Sequence, residues 1–190
     1  MTDDLTLRCA CGALTGCLAG RTAKAGTHIV CHCRDCRAFQ VAVGRDDPGA
    51  DRGVNVLQIG PAGLKITGDM AAIRMSPRGP FRFYAACCGT PIATTMTKPT
   101  IPFAGLLTAV LEDPDRLGPV RANVNITGAD GSVKHKRIGR VVRAIFSNAG
   151  SACLRGERKV TPFFDPETGA PVVEPVVIDK ERKAEIYRAL

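Results

Sequence analysis

The chain has 190 residues, 45% of them apolar and 23% charged, with a formal net charge of +8. That length suits one domain or one domain with a substantial extension, and the composition excludes a largely disordered chain. No run of about 18 apolar residues occurs, which excludes a membrane-spanning helix, while the basic balance admits anionic partners without selecting one.

The start, "MTDDLTLRCACG", is acidic and alternating, with neither the basic opening nor the apolar stretch of a secretory signal. The expectation is a cytoplasmic protein in a reducing compartment, where disulfide staples are rare. Short runs with partial period-2 alternation follow: "LTLR" at 5–8, "ALTGCLA" at 13–19 and "THIVCHC" at 27–33. Glycine-containing turns separate them, as between strands. A helix is predicted through "RDCRAFQVAV" at 34–43. "VNVLQI" at 54–59 and "GLKITG" at 63–68 flank Gly60-Pro61 and suggest a hairpin or corner. "AAIRMS" at 71–76, "FRFYAAC" at 81–87 and "TPIATTM" at 90–96 are further strand candidates, broken by Pro77-Arg78-Gly79-Pro80 and by Gly89.

Beyond residue 100 the period changes. Phe103, Leu106, Leu107, Val110 and Leu111 fall on one helical face, with Asp113-Pro114 as a stop. Ile138, Val141, Val142, Ile145 and Phe146 repeat the pattern, with Gly150 as the stop. "TPFFDPETGAPVVEPVV" at 161–177 is expected to be an extended arm over the surface, and "DKERKAEIYRAL" a last helix N-capped by Asp179. The fold expected is mainly β over residues 1–100, with a helical and extended C-terminal extension over 101–190 packed on it, α+β overall.

Seven of the nine cysteines form three groups: Cys9 and Cys11; Cys31, Cys33 and Cys36 in "CHCRDCR"; and Cys87 with Cys88. An odd count in a reducing compartment points to metal binding or thiol chemistry, not to a disulfide framework. Alternate residues of a strand share a face, so a C-x-C can aim two sulfurs at one ion, and a C-x-x-C turn does the same. Seven sulfurs exceed one tetrahedral site and fall one short of two, which suggests one closed site and one with a free position.

The ordered set "RCACG", "CHCRDCR" and "YAACCGTPI" resembles the glutathione-dependent formaldehyde-activating enzymes and centromere protein V over roughly residues 5–97. The resemblance implies a β-tent of small antiparallel sheets with two zinc ions, one structural and one catalytic. It also implies a carbon–sulfur lyase activity on a thiol–aldehyde adduct such as S-hydroxymethylglutathione, with glutathione as the partner thiol. Carried across, the structural zinc falls to Cys9, Cys11 and Cys88. The family's fourth ligand position is Ala85, which has no donor atom, so this is a divergent member. Cys87 is the nearest substitute, and water or Cys17 are the other candidates. Cys31, Cys33 and Cys36 become the catalytic, three-thiolate site.

Two residues of the middle motif are candidates for substrate binding. His32 is either a proton carrier beside the metal or a residue turned away from its cysteine neighbours. Arg37, with Arg34 and Asp35, could steer an anionic thiol or form a solvated helix face. Cys17 and Cys153 are expected to be packing residues. The cations of "KHKRIGRVVRAI" at 134–145 are expected to form a solvated face, so nucleic acid and membrane are set aside as partners. The rival to the enzyme is a non-catalytic, zinc-stabilised binding module. The apolar helices could cover the core or a second copy of the chain.

Overall fold

A computed structural model describes residues 3–128, 130–157 and 159–190. Its frame is two sheets. The smaller is antiparallel, with β2 (Thr15–Leu18) between β1 (Leu5–Arg8) and β5 (Leu64–Thr67). The larger has nine strands: β3 (Thr27–Cys31), β4 (Val54–Ile59), β6 (Met70–Arg74), β7 (Phe81–Ala85), β8 (Pro91–Thr95), β9 (Ala104–Leu107), β10 (Ala122–Thr127), β11 (Val133–Lys136) and β12 (Val176–Val177). Their spatial order is β11-β10-β3-β4-β9-β8-β7-β6-β12. The β3–β10 and β6–β12 pairs are parallel, and the others are antiparallel. The protein is thus mainly β, with its longest helix and a terminal one in the C-terminal third, although one sheet is far larger than a set of small antiparallel ones. Four helices accompany the sheets among the described residues: α1 (Gly20–Ala25), α2 (Arg34–Ala42), α3 (Ile138–Leu154) and α4 (Lys180–Arg188).

The first hundred residues form strands where the alternation places them. Residues 103–111 do not form the expected helix. Ala104, Gly105, Leu106 and Leu107 are buried throughout as β9, held between β4 and β8. A strand covered on both faces is apolar at every position, and such a run satisfies the helical spacing equally well. Gly105 suits this place, since a Cβ there would approach Val56 to 3.0 Å. The sheet therefore runs straight across residue 100.

Helix α3 continues through Gly150 to Leu154 and turns at Gly156, whose φ of +69° is the left-handed conformation of a helix terminator. An interior glycine weakens a helix by about 1 kcal/mol, which is not enough to end one that packs. The proline-rich arm also departs from expectation. Phe163 and Phe164 are buried, with ring centres 4.7 Å from Phe83 and 5.9 Å from Phe81, so the arm plugs the core instead of lying over it. Helix α4 forms as predicted, with Asp179 accepting from the Arg182 amide at 2.7 Å.

Two apolar clusters fill the interior. One joins Leu5, Leu7, Leu14 and Leu18 of the small-sheet region to Phe83, Ile92 and Leu106 of the large sheet. The other packs Phe39 of α2, Val141 of α3 and Ile186 of α4 around Ile29, Val56 and Leu107. Each cluster has a group of cysteines at its margin.

Candidate metal centres

Cys9 follows β1 and enters a tight turn, with the Gly12 amide donating to the Cys9 carbonyl at 2.9 Å and Gly12 at φ +81°. The turn brings Cys11 back beside Cys9, their sulfurs 3.5 Å apart. The second half of the cluster comes from the end of β7. Adjacent cysteines on a regular strand would face opposite ways, but β7 ends at Ala85. A turn follows, in which the Cys88 and Gly89 amides donate to the Ala85 carbonyl. Gly89 sits at φ +69°, and a Cβ there would lie 2.2 Å from the Val43 carbonyl oxygen at the C-cap of α2. Cys87 thereby reaches 3.7 Å from Cys9 and 3.2 Å from Cys11.

The sulfurs of Cys9, Cys11, Cys87 and Cys88 all lie within 4.8 Å of one another. In a tetrahedron with zinc–sulfur bonds of about 2.3 Å the sulfurs stand about 3.8 Å apart. These four could therefore hold one metal ion, with spacing consistent with zinc, and Cys87 lies among them. Cys17, on β2, and Cys153, on α3, stand outside the cluster, and all nine cysteines are free thiols. The frame around the cluster is hydrogen-bonded. The Leu14 amide donates to Cys9 Sγ at 3.2 Å, and Thr90 Oγ1 accepts from the Ala10 amide at 3.0 Å. Arg45 donates to the Cys88 carbonyl at 3.0 Å and to Thr90 Oγ1 at 2.8 Å.

The second cluster is built on the β3–α2 junction. Cys31 ends β3, Cys33 is the N-cap of α2 and accepts from the Cys36 amide at 3.3 Å, and Cys36 lies in the first helical turn. Their sulfurs also gather within 4.8 Å, with Cys31 and Cys33 3.4 Å apart. Hydrogen bonding with Cys33 and Cys36 draws the Cys31 thiol far below its ordinary range, and the same bond with Cys31 pushes Cys36 well above it. A helix N-terminus adds partial positive charge, which favours thiolate. Three thiolates fit zinc with one coordination position left for an outside donor.

Two residues around this trio escape a reading of the sequence. Arg82 on β7 is 3% exposed, and its Nη1 lies 3.9 Å from Cys36 Sγ and 3.4 Å from Thr94 Oγ1. Its Nε has no partner and no carboxylate pairs with it among the described residues; its guanidinium stands 5.6 Å from the Phe39 ring centre. A buried cation needs a compensating negative charge, which the adjacent Cys36 sulfur could supply as a metal-bound thiolate. Asn125 donates from Nδ2 to Cys31 Sγ at 3.4 Å, from a backbone at φ +56° beside a register shift in β10. Left-handed backbone in a non-glycine residue carries strain of order 1 kcal/mol, held here where it aims an amide at a ligand sulfur. The only trace of Arg82 in the sequence is a lone charge in the otherwise apolar "FRFYA"; Asn125 leaves none.

The charged residues of "CHCRDCR" are occupied elsewhere. Arg37 is buried and forms a two-pronged ion pair with Asp47, with Nε donating at 2.8 Å; it also donates to the Leu190 carbonyl at 2.8 Å. Its partner's carboxyl is held below the usual range by that guanidinium. Arg34 donates to the Tyr187 carbonyl and lies 4.5 Å from the Tyr187 ring centre, while the Tyr187 hydroxyl donates to Asp35. Arg34 and Asp35 thereby join α2 to α4 through Tyr187. His32 alternates away from its neighbours: Nδ1 donates to the Ala50 carbonyl at 2.9 Å and Nε2 meets the Asn123 carboxamide at 3.0 Å. Both ring nitrogens are used within the protein, which ties β3 to the 50s loop and to β10.

Residues 1–174 match a family of unknown function, DUF6151, and the chain belongs to that family. No curated protein matches the chain.

Proposed function

We propose that this chain is a zinc protein with a structural ion held by Cys9, Cys11, Cys87 and Cys88, and a reactive ion held by Cys31, Cys33 and Cys36. Its activity in this reading is carbon–sulfur bond cleavage or formation on a thiol–aldehyde adduct such as S-hydroxymethylglutathione. The single observation that carries it is the trio: three converging sulfurs, one coordination position short of a tetrahedron, with a buried guanidinium against Cys36. Zinc there supplies a Lewis acid and keeps coordinated sulfur deprotonated near neutrality.

The chain's own residues then have distinct tasks. Cys31, Cys33 and Cys36 hold the ion and leave room for one incoming sulfur. Arg82 offsets the negative charge of the thiolates, and Asn125 fixes the orientation of Cys31. In the cleavage direction the carbon–sulfur bond breaks, the aldehyde leaves, and the hydroxyl proton ends on the freed thiol. The substrate class rests on the motif resemblance; the reactive position rests on the donor set.

A second reading has its own observation. Arg34 and Asp35 bond to Tyr187, and Arg37 to Asp47 and Leu190, which engages the motif's own charges within the fold. That favours a non-catalytic, zinc-stabilised binding module. Incubation of the zinc-loaded protein with glutathione and formaldehyde, followed by proton NMR, separates the two. Adduct formation faster than background supports the enzyme; a background rate with two zinc ions bound per chain rejects this substrate and leaves the module.

A further inference from the structure

Helix α3 carries two apolar stripes, and the fold uses one of them. Val141 and Ala152 are buried, and Ile145 is partly so, packed against β10 and β4. One residue round, about 100° away, Ile138, Val142 and Phe146 recur at every fourth position and stand 39%, 45% and 73% exposed. Leu154 at the end of the helix is 91% exposed, and Val133 on the neighbouring edge strand β11 is 58% exposed. Surface side chains of this size are ordinary singly; a stripe along one helix is not.

The charge around the stripe has one sign. Residues 131–155 hold six lysines and arginines and no aspartate or glutamate. Lys134, Lys136, Arg137, Arg140 and Arg143 have no ion-pair partner among the described residues. A second copy of this face would meet it with like charge across the contact, which is costly for association. A nucleic-acid duplex would satisfy the cations and leave Val142 and Phe146 in water. An anionic bilayer takes both features at once: the headgroups meet the cations, and the apolar side chains enter the acyl boundary.

We propose that the exposed face of α3, with the adjoining β11, docks on a membrane surface rich in anionic phospholipid, the helix lying in the interface plane. Among the described residues no helix is long and apolar enough to cross a membrane, and this mode needs none. Docking there is independent of the cysteine clusters and of any activity assigned to them.

The chain contains no tryptophan, so Phe146→Trp makes a single fluorescent reporter at the centre of the face. Zinc-loaded Phe146→Trp is titrated with phosphatidylglycerol vesicles and with phosphatidylcholine vesicles, and the parent chain is followed by co-sedimentation. The expected result is emission moved to shorter wavelength with phosphatidylglycerol, at partitioning at least about tenfold stronger than with phosphatidylcholine. Arg140→Gln with Arg143→Gln should weaken partitioning about thirty-fold, and Val142→Asp with Phe146→Asp about tenfold or more. All four side chains are exposed, and unchanged zinc content verifies that the variants fold. Three results would overturn the proposal: no partitioning to either vesicle; a dimer by light scattering that Val142→Asp with Phe146→Asp dissociates; or duplex DNA binding that exceeds vesicle binding and ignores residue 146.

Discussion

The two cysteine clusters draw on the same donor chemistry but are set in different surroundings. The four-thiol cluster joins two turns that are 76 to 79 residues apart in the chain, and its neighbours are backbone amides, a threonine hydroxyl and Arg45, whose guanidinium bonds to oxygens of the frame. The three-thiol cluster is local, spread over six residues of one strand-to-helix junction, and its neighbours are a buried arginine and an asparagine held in left-handed backbone. The first arrangement ties distant segments together and closes on itself. The second is pre-formed by α2, stops one donor short, and invests charge and strain around the sulfurs. Closed sites give folding energy and open ones give chemistry, and the proposed function assigns the two clusters by that division.

The contrast is most severely tested by removing one sulfur from each. Cys11→Ser should remove the tie between the two turns and leave the chain largely unfolded or insoluble, since a structural zinc contributes on the order of 10 kcal/mol to folding. Cys33→Ser should fold, with one zinc ion per chain in place of two by elemental analysis. Equal loss of melting temperature in both variants would erase the distinction. Next in size is Arg82→Met. It should weaken zinc retention by the trio roughly 10- to 100-fold against a chromogenic chelator and leave the four-thiol ion unaffected; loss of both ions together would make Arg82 a core residue only.

Smaller effects sharpen the picture. Tyr187→Phe removes the hydroxyl bond to Asp35 and should lower stability by about 1.5 to 3 kcal/mol, as for a hydrogen bond to a charged group. Burial and the Asp35 bond push the Tyr187 phenol above its ordinary value. Its stabilisation is therefore complete below about pH 10, the unfolded value, and is lost as the pH climbs through the higher folded value. Melting curves in alkaline buffer should show that loss in the parent and a reduced slope in Tyr187→Phe. Smallest is Asn125→Gly, which keeps the backbone conformation and gives up the bond to Cys31, at about 1 kcal/mol. Cobalt spectra of the trio should shift in Asn125→Gly, with the four-thiol bands unmoved.

Much of this was legible in the amino-acid order. The strands of the first hundred residues follow from alternation between glycine turns, α4 from its aspartate cap, and the cysteine groups from their spacing. What escaped did so for identifiable reasons. A strand buried on both faces has no period, so β9 imitated a helix. Phe163 and Phe164 sit among prolines, and local composition does not say that a distant core lacks two rings. The charges of "CHCRDCR" suggested a ligand because the partner of Arg34 and Asp35, Tyr187 on α4, lies some 150 residues further on, and Asp47 carries no mark of pairing with Arg37. Arg82 and Asn125 reach the trio through sheet pairing, which a linear pattern does not contain.

Gly89 has a consequence that extends past its own turn. Any side chain at that position would press on the Val43 carbonyl, and Val43 closes the helix whose opposite end carries Cys33 and Cys36. Nine helical residues span roughly 13 Å, so α2 bridges the turn of one cysteine group and the junction of the other. A side chain at residue 89 would therefore disturb the helix that carries the trio as well as the turn that carries Cys87 and Cys88.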